Sequence, residues 1–258
     1  MDLGINGKIA LVTGGSRGLG RQSALALAAE GANVAICARG EDRLHQTADE
    51  LRQLGVKVAA FTADLEDPSA PESALSTVEA KLGPVDILVN NVGGSLGTSD
   101  VIRTSIEDFE KVMDVNLWSA IRLMKLAIPG MQQRGWGRVI NISSIYGREF
   151  GGTAPYMTAK AAMIAASKHT AMAVAKSGVT VNSVAPGSIL FPGGSWDRFM
   201  KNNTPAVVDE FISRNLPMGK FGWPEPIGAT VAFLASAQAD LITGACLNVD
   251  GGQSHNLF

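Results

Sequence analysis

The chain has little of what would cross-link it, load it with metal or draw it to a charged partner. Its two cysteines, Cys37 and Cys246, stand far apart in apolar stretches. They allow one bridge at most and read as reduced packing residues. Three histidines, His45, His169 and His255, are scattered without metal-ligand spacing, so no metal is expected. Lysine and arginine number 22 against 24 acids, a net charge of −2. That balance gives nucleic acid or an anionic membrane no electrostatic grip. No apolar run reaches membrane-spanning length without a charge. Met1 to Lys8 shows no basic segment followed by an apolar run, so no secretory signal is expected and the cytoplasm is the simplest location. Linkers, repeats and low-complexity segments are also missing, and the 258 residues are read as one domain.

Apolar residues make up 46% of the chain, and they come in a regular rhythm. Short runs at Ile9–Val12, Val34–Cys37, Val58–Phe61, Ile87–Val89, Val139–Ile142, Val179–Val184 and Leu247–Val249 read as buried parallel strands. Helical patterns lie between them at Arg17–Glu30, Glu41–Leu54, Pro68–Lys81, Ser105–Arg134, Pro155–Ser177 and Pro226–Ser236. Strands separated by helical crossovers predict an α/β fold, a Rossmann-type doubly wound parallel seven-stranded sheet in a single domain. Phe191 to Leu216 breaks the rhythm. It lies beyond the carboxyl end of the sixth strand, where ligands bind, and its Trp196, Phe199 and Met200 suit a substrate lid. Two helices are apolar on more than one face, around Val112–Ile128 and Ala161–Val174. A second copy of the chain would cover the spare faces, so a homo-oligomer, dimer or tetramer, is expected.

Three stretches carry chemistry. Tyr156 and Lys160 are one helical turn apart and share a face. An ammonium beside a phenol favours the phenolate, which predicts a lowered pKa and a proton donor or acceptor near neutral pH. Thr13 to Gly20 is a glycine-rich turn between the first strand and a helix. Gly14, Ser16, Arg17, Gly18, Leu19 and Gly20 would seat a pyrophosphate on the helix N-terminus. The second strand ends in Cys37-Ala38-Arg39-Gly40, with an arginine where an acid would select NAD. Arg39 and Arg17 converging on a ribose would suit a 2′-phosphate, so NADP(H) is the expected cofactor.

With these motifs the chain resembles the short-chain dehydrogenase/reductase family over essentially its whole length. Thr13 to Gly20 matches TGxxxGxG, Asn90-Asn91-Val92-Gly93 resembles NNAG, and Tyr156 to Lys160 supplies YxxxK. Asn182 to Gly187 and Asp250-Gly251-Gly252 resemble the segments around the last two strands. The resemblance implies Tyr156 as acid/base, Lys160 on the nicotinamide ribose, Ser144 on the substrate oxygen and Asn116 in a proton relay to Lys160. Ser144 is preferred to Ser143 because Gly147 follows it by three. It also implies Asp64 and Leu65 beside the adenine, and Asn91, Gly93, Pro186, Gly187 and Ile189 in the cofactor site. The implied activity interconverts a small ketone and a secondary alcohol. One alternative is a 3-oxoacyl-(acyl-carrier-protein) reductase, with Arg134 and Arg138 as a basic rim for the acidic carrier. Met172 stands where such members carry an arginine, which favours a free small substrate with Arg148 orienting its polar end. The alternative of another class is a non-catalytic NADP-binding regulator.

Overall fold

Strands covered on both faces need apolar residues at every position, and that is how these runs are used. The computed structural model describes residues 2–257. The strands are β1 (Ile9–Thr13), β2 (Asn33–Ala38), β3 (Val58–Thr62), β4 (Ile87–Asn90), β5 (Gly137–Ile142), β6 (Val179–Pro186) and β7 (Cys246–Val249). They form one seven-stranded sheet in the order β3-β2-β1-β4-β5-β6-β7, parallel throughout. Val12 pairs with Ile36 on one side and Val89 on the other. Period-two alternation splits the sheet's side chains between two cores. Val12, Ile36, Val89 and Ile140 face one core, while Leu11, Leu88, Val139 and Val181 face the other. Each such fully buried side chain stabilises the fold by roughly 1.5–3 kcal/mol before entropy is counted.

The first core is roofed by α1 (Gly18–Ala29), α2 (Glu41–Gln53) and α9 (Pro224–Ala235), through residues such as Leu27, Leu44 and Val231. The second is roofed by α3 (Ala70–Lys81), α5 (Ser119–Gln133) and α6 (Ala154–Val174), through Val78, Leu123 and Ala171. The chain turns outward in opposite directions from β1 and β4, and this switch point opens a crevice at their carboxyl ends.

Two expectations gain detail. The predicted helix Ser105–Arg134 runs unbroken from Ile106 to Gln133 but is not α-helical throughout. Ser105 caps α4 (Ile106–Met113), its Oγ accepting from Asp108 N–H at 3.1 Å. Asp114–Trp118 then forms a π-helical turn before α5 begins. Sequence periodicity does not resolve a single widened turn, and such turns gather at functional sites. The stretch 191–216, expected only to break the rhythm, holds two helices, α7 (Ser195–Asn202) and α8 (Pro205–Asn215). The spare faces of α5 and α6 stay open in the protomer, with Trp118 and Leu126 part-exposed and Met172 70% exposed. Among the described residues, no helix is long and apolar enough to cross a membrane.

Candidate active site

The site grows from the carboxyl ends of β1, β4 and β5. After β1 the glycine turn leads into α1, whose N-terminus has no side-chain cap and no acid in its first turn. Its first-turn N–H groups therefore remain available to an anion. The turn is braced from β4. Asn91 Nδ2 donates to the carbonyls of Thr13 at 2.9 Å and Gly14 at 3.3 Å, and Asn91 N–H donates to Thr13 Oγ1 at 2.9 Å. The Asn91 side chain thus shapes the turn.

From this turn a cleft of about 570 Å³ runs between the ends of β1, β2 and β4. It is lined by Gly14, Ser16, Arg17, Leu19 and Arg39, and further along by Asp64, Leu65, Asn91 and Gly93. These are nine of the residues expected to hold the cofactor. Gly18 is covered by Phe191, whose ring would lie 2.6 Å from a Cβ placed there. Gly20 packs against the Gly14 carbonyl within the turn. Pro186 is the last residue of β6, and Gly187 and Ile189 lie just past it. There Gly222 bonds the Ser188 carbonyl and Leu190 N–H, which leaves the peptide groups of Ile189 facing the other way. Ser188 is buried, and Gln253 holds both its N–H and its hydroxyl.

The rim of the cleft is cationic. Arg17 donates to the Gly193 carbonyl at 2.9 Å, and Arg198 of α7 donates to the same oxygen at 2.8 Å. Burial, then repulsion from Arg43, Arg198 and Arg39, holds the Arg17 pKa below its ordinary value. Arg39 pairs with Glu66 at 3.0 Å, and none of the other three forms an ion pair among the described residues. Such a cluster suits a doubly charged anion. Arg43 and Arg198 had no signal in sequence, because α2 and α7 reach the rim only through the fold.

The residues expected to carry acid/base chemistry meet past the carboxyl end of β5. Ser143 and Ser144 follow β5, and they do different work. Ser143 Oγ donates to the Lys160 carbonyl at 3.0 Å, whereas the Ser144 side chain lies near the Tyr156 phenol and favours its ionised form. Tyr156 is half-buried with its phenol on the enclosed side. Burial raises its pKa above the ordinary value, and the nearby Ser144 hydroxyl opposes that rise. Lys160 is 2% exposed, and burial lowers its pKa to about 7. Its Nζ donates to the Ile142 carbonyl at 2.9 Å and lies 5.6 Å from the centre of the Tyr156 ring. The expected lowering of the phenol by the ammonium is therefore corrected. The amine is desolvated and directed at a carbonyl, so its charge does not offset burial of the phenol.

Asn116 occupies the π-helical turn and is fully buried. Its Nδ2 donates to the carbonyls of Val112 and Gly94, both at 2.8 Å, and its Oδ1 accepts from Gly94 N–H at 3.0 Å. A Cβ on Gly93 would stand 2.6 Å from Asn116 Oδ1 and 2.9 Å from Lys160 Nζ. Only glycine at 93 lets the β4 loop, Asn116 and Lys160 close together.

Other expectations shift. Trp196 and Phe199 do not stand open over a substrate. They pack with Phe211 and Phe221, with Trp196 4.7 Å from Phe211 and 5.3 Å from Phe221. Arg148 is held to β7 through the Cys246 carbonyl at 3.1 Å and Asn248 Oδ1, away from the role of substrate anchor. Arg138 is buried and paired with Asp240, and Arg134 donates to the Val85 carbonyl at 2.6 Å. Neither arginine forms a free basic rim. Among the described residues no cluster of His, Cys, Asp or Glu could hold a metal ion.

Comparisons with known proteins bear on this arrangement. The sequence profile of the family described as "Enoyl-(Acyl carrier protein) reductase" matches residues 14–254. The chain is 39% identical to the 3-oxoacyl-(acyl-carrier-protein) reductase FabG of Escherichia coli (strain K12), over 97% of this chain and 98% of that protein. The L-sorbose reductase of Gluconobacter frateurii, solved with NADPH and L-sorbose, is 32% identical and superposes with a TM-score of 0.92 over 100% of both chains. A 7 alpha-hydroxysteroid dehydrogenase, solved with NADH and 7-oxo glycochenodeoxycholic acid, is 29% identical with a TM-score of 0.89, over 100% of this chain and 98% of that one.

Proposed function

The chain belongs to the short-chain dehydrogenase/reductase family, oxidoreductases of CH–OH groups that use a nicotinamide cofactor, and we propose that it reduces a small ketone to a secondary alcohol with NADPH. The observation that carries the proposal is the gathering of Ser144, Tyr156, Lys160 and Asn116 about the ends of β4 and β5. When bound, the cofactor supplies the hydride. Gly14, the first turn of α1 and Asp64 would hold its pyrophosphate and adenosine, and the Arg17, Arg39 and Arg43 cluster its 2′-phosphate. Tyr156 gives its proton to the carbonyl oxygen. Its raised pKa keeps that proton in place at neutral pH, which favours the acid role over the base role. Ser144 donates to the same oxygen and steadies charge as it develops there. Asn116 fixes the loop behind the phenol, and the Lys160 ammonium would return a proton to the phenolate through a water relay.

The 3-oxoacyl-(acyl-carrier-protein) reductase reading is supported by the E. coli relative. Met172 in place of an arginine, together with the engaged Arg134 and Arg138, favours a free substrate over a carrier-bound one. The open faces of α5 and α6 would be covered by a second copy of the chain. The test is NADPH oxidation with a panel of simple ketones, sugars and 3-oxoacyl thioesters. Turnover of the small ketones supports the proposal. NADPH binding without turnover of any of them would instead identify a non-catalytic regulator.

A further inference from the structure

After β7 the chain leaves the sheet through Gly251 and Gly252, whose φ values of 65° and 81° lie in the left-handed region that favours glycine. The next residues, 253–256, bond two loops in succession. Gln253 holds the first, the loop after β6. Its Oε1 accepts from Ser188 N–H at 2.7 Å, and its Nε2 donates to Ser188 Oγ at 2.9 Å. Both residues are buried. A Cβ on Gly187 would stand 2.7 Å from that Oε1, so the approach is close.

Glu149 holds the second, the loop after β5. Its Oε2 accepts from Ser254 Oγ at 2.9 Å, from His255 N–H at 2.8 Å and from Asn256 N–H at 3.0 Å. Asn256 Nδ2 donates in return to the Arg148 carbonyl at 2.6 Å. Glu149 ends a tightly bonded turn that begins at Ser144. Glu149 N–H donates to the Ile145 carbonyl at 3.1 Å, Gly147 N–H to the Ser144 carbonyl at 3.0 Å, and Tyr146 N–H to Ser144 Oγ at 3.2 Å. The position of Ser144 is thus tied to Glu149, and through Glu149 to 253–256.

The far end of this segment buries little. His255 and Asn256 are exposed, and Leu257 is 90% exposed. Hydrophobic stabilisation scales with the area taken from water, so 254–257 adds little to global stability. Its bonds act instead on the geometry of the two loops that they join. One of these is the loop expected beside the cofactor, and the other carries Ser144. A hydroxyl that steadies developing charge must be held at a fixed distance from the reacting atoms, where small displacements cost much rate.

Resting on the reading of Ser144 as the residue that steadies the substrate oxygen, we propose that Glu149 is a positioning residue. By anchoring 253–256 it fixes the Ser144 turn relative to the loop after β6.

The test uses the full chain with Glu149→Ala and Glu149→Gln, and the ketone of the panel that wild type reduces fastest. The three donors to Glu149 are neutral, so glutamine keeps an acceptor for them and alanine does not. For Glu149→Ala the expected result is a kcat lowered by about tenfold or more, with KM for the ketone and NADPH affinity within about threefold. Its melting temperature stays within a few degrees of wild type. Backbone hydrogen exchange of 145–149, measured without substrate, should quicken in the alanine variant. Glu149→Gln should stay within about threefold of wild type in kcat. Unchanged kcat or unchanged exchange in Glu149→Ala overturns this inference alone. So does a loss that glutamine does not reverse, or a parallel fall in NADPH affinity and melting temperature. Ser144→Ala, measured alongside, tests the reading beneath. An unchanged kcat there, or no ketone reduced by wild type, overturns that reading and this inference with it.

Discussion

Lys160 Nζ donates to the Ile142 carbonyl at 2.9 Å, at the end of β5, and lies 5.6 Å from the centre of the Tyr156 ring on its own helix. The amine is buried, and its pKa falls to about 7. In the unfolded chain a lysine titrates near ~10.4. Between those values the unfolded state binds more protons, so stability rises with pH across that window. Below about 7 the full penalty of burying the ammonium applies. Lys160→Met removes the titrating group, while the orphaned Ile142 carbonyl costs the same at every pH. Urea denaturation from pH 6 to 10 should therefore show wild type gaining on Lys160→Met as pH rises. A pH-independent difference would mean that the amine is not desolvated.

The arginine rim makes a prediction about cofactor choice. Arg43→Ala removes a cation without an ion pair, and Arg39→Asp turns the partner of Glu66 into a like charge. A charge-assisted bond to a phosphate contributes about 1.5–3 kcal/mol. Each variant should lower kcat/KM for NADPH by about tenfold or more and leave NADH within about twofold. Steady-state kinetics with both cofactors measures this, and unchanged ratios would place the cluster outside the phosphate site.

Direction should depend on pH. The Tyr156 phenol is held above its ordinary pKa by burial, so it is protonated at neutral pH. Ketone reduction needs that protonated form and should be flat from about pH 6 to 8. Alcohol oxidation needs the phenolate and should climb with pH beyond neutrality. Initial rates in both directions across pH decide it. Oxidation that saturates below pH 7 would contradict the raised pKa.

The engaged arginines on the β5 side bear on substrate size. Arg134 and Arg138 are both bonded within the fold. A 3-oxoacyl group on a carrier protein should therefore be favoured over a short free thioester by less than ~100-fold, about 2.7 kcal/mol. A larger preference in kcat/KM would support the carrier-protein reading.

Much of this architecture was legible in the chain because burial on both sheet faces leaves unbroken apolar runs. Each expected strand lies within the observed one, from Ile9 to Val249. The glycine turn and the Tyr156–Lys160 spacing were legible as local motifs, Ser144 and Asn116 came from the family resemblance, and the fold sets Tyr156, Lys160, Asn116 and Gly93 close together. What sequence hid was non-local. Arg43 and Arg198 join Arg17 from distant elements. Trp196 and Phe199 turn inward because Phe211 and Phe221 complete their cluster. The Tyr156–Lys160 spacing suggested a lowered phenol pKa, yet desolvation, invisible in a one-turn spacing, governs both groups. The π-helical turn at Asn116 followed from bonds to Gly94, which only the tertiary structure supplies.

The central claim is that Tyr156 delivers the proton, and Tyr156→Phe tests it most directly. The substitution keeps the ring beside Ser144 and removes only the hydroxyl. Single-turnover reduction of a ketone by the NADPH-loaded variant should slow by at least ~10²-fold, with NADPH affinity nearly unchanged. A variant that retains more than about a tenth of the wild-type rate would contradict the assignment and move the proton donor elsewhere.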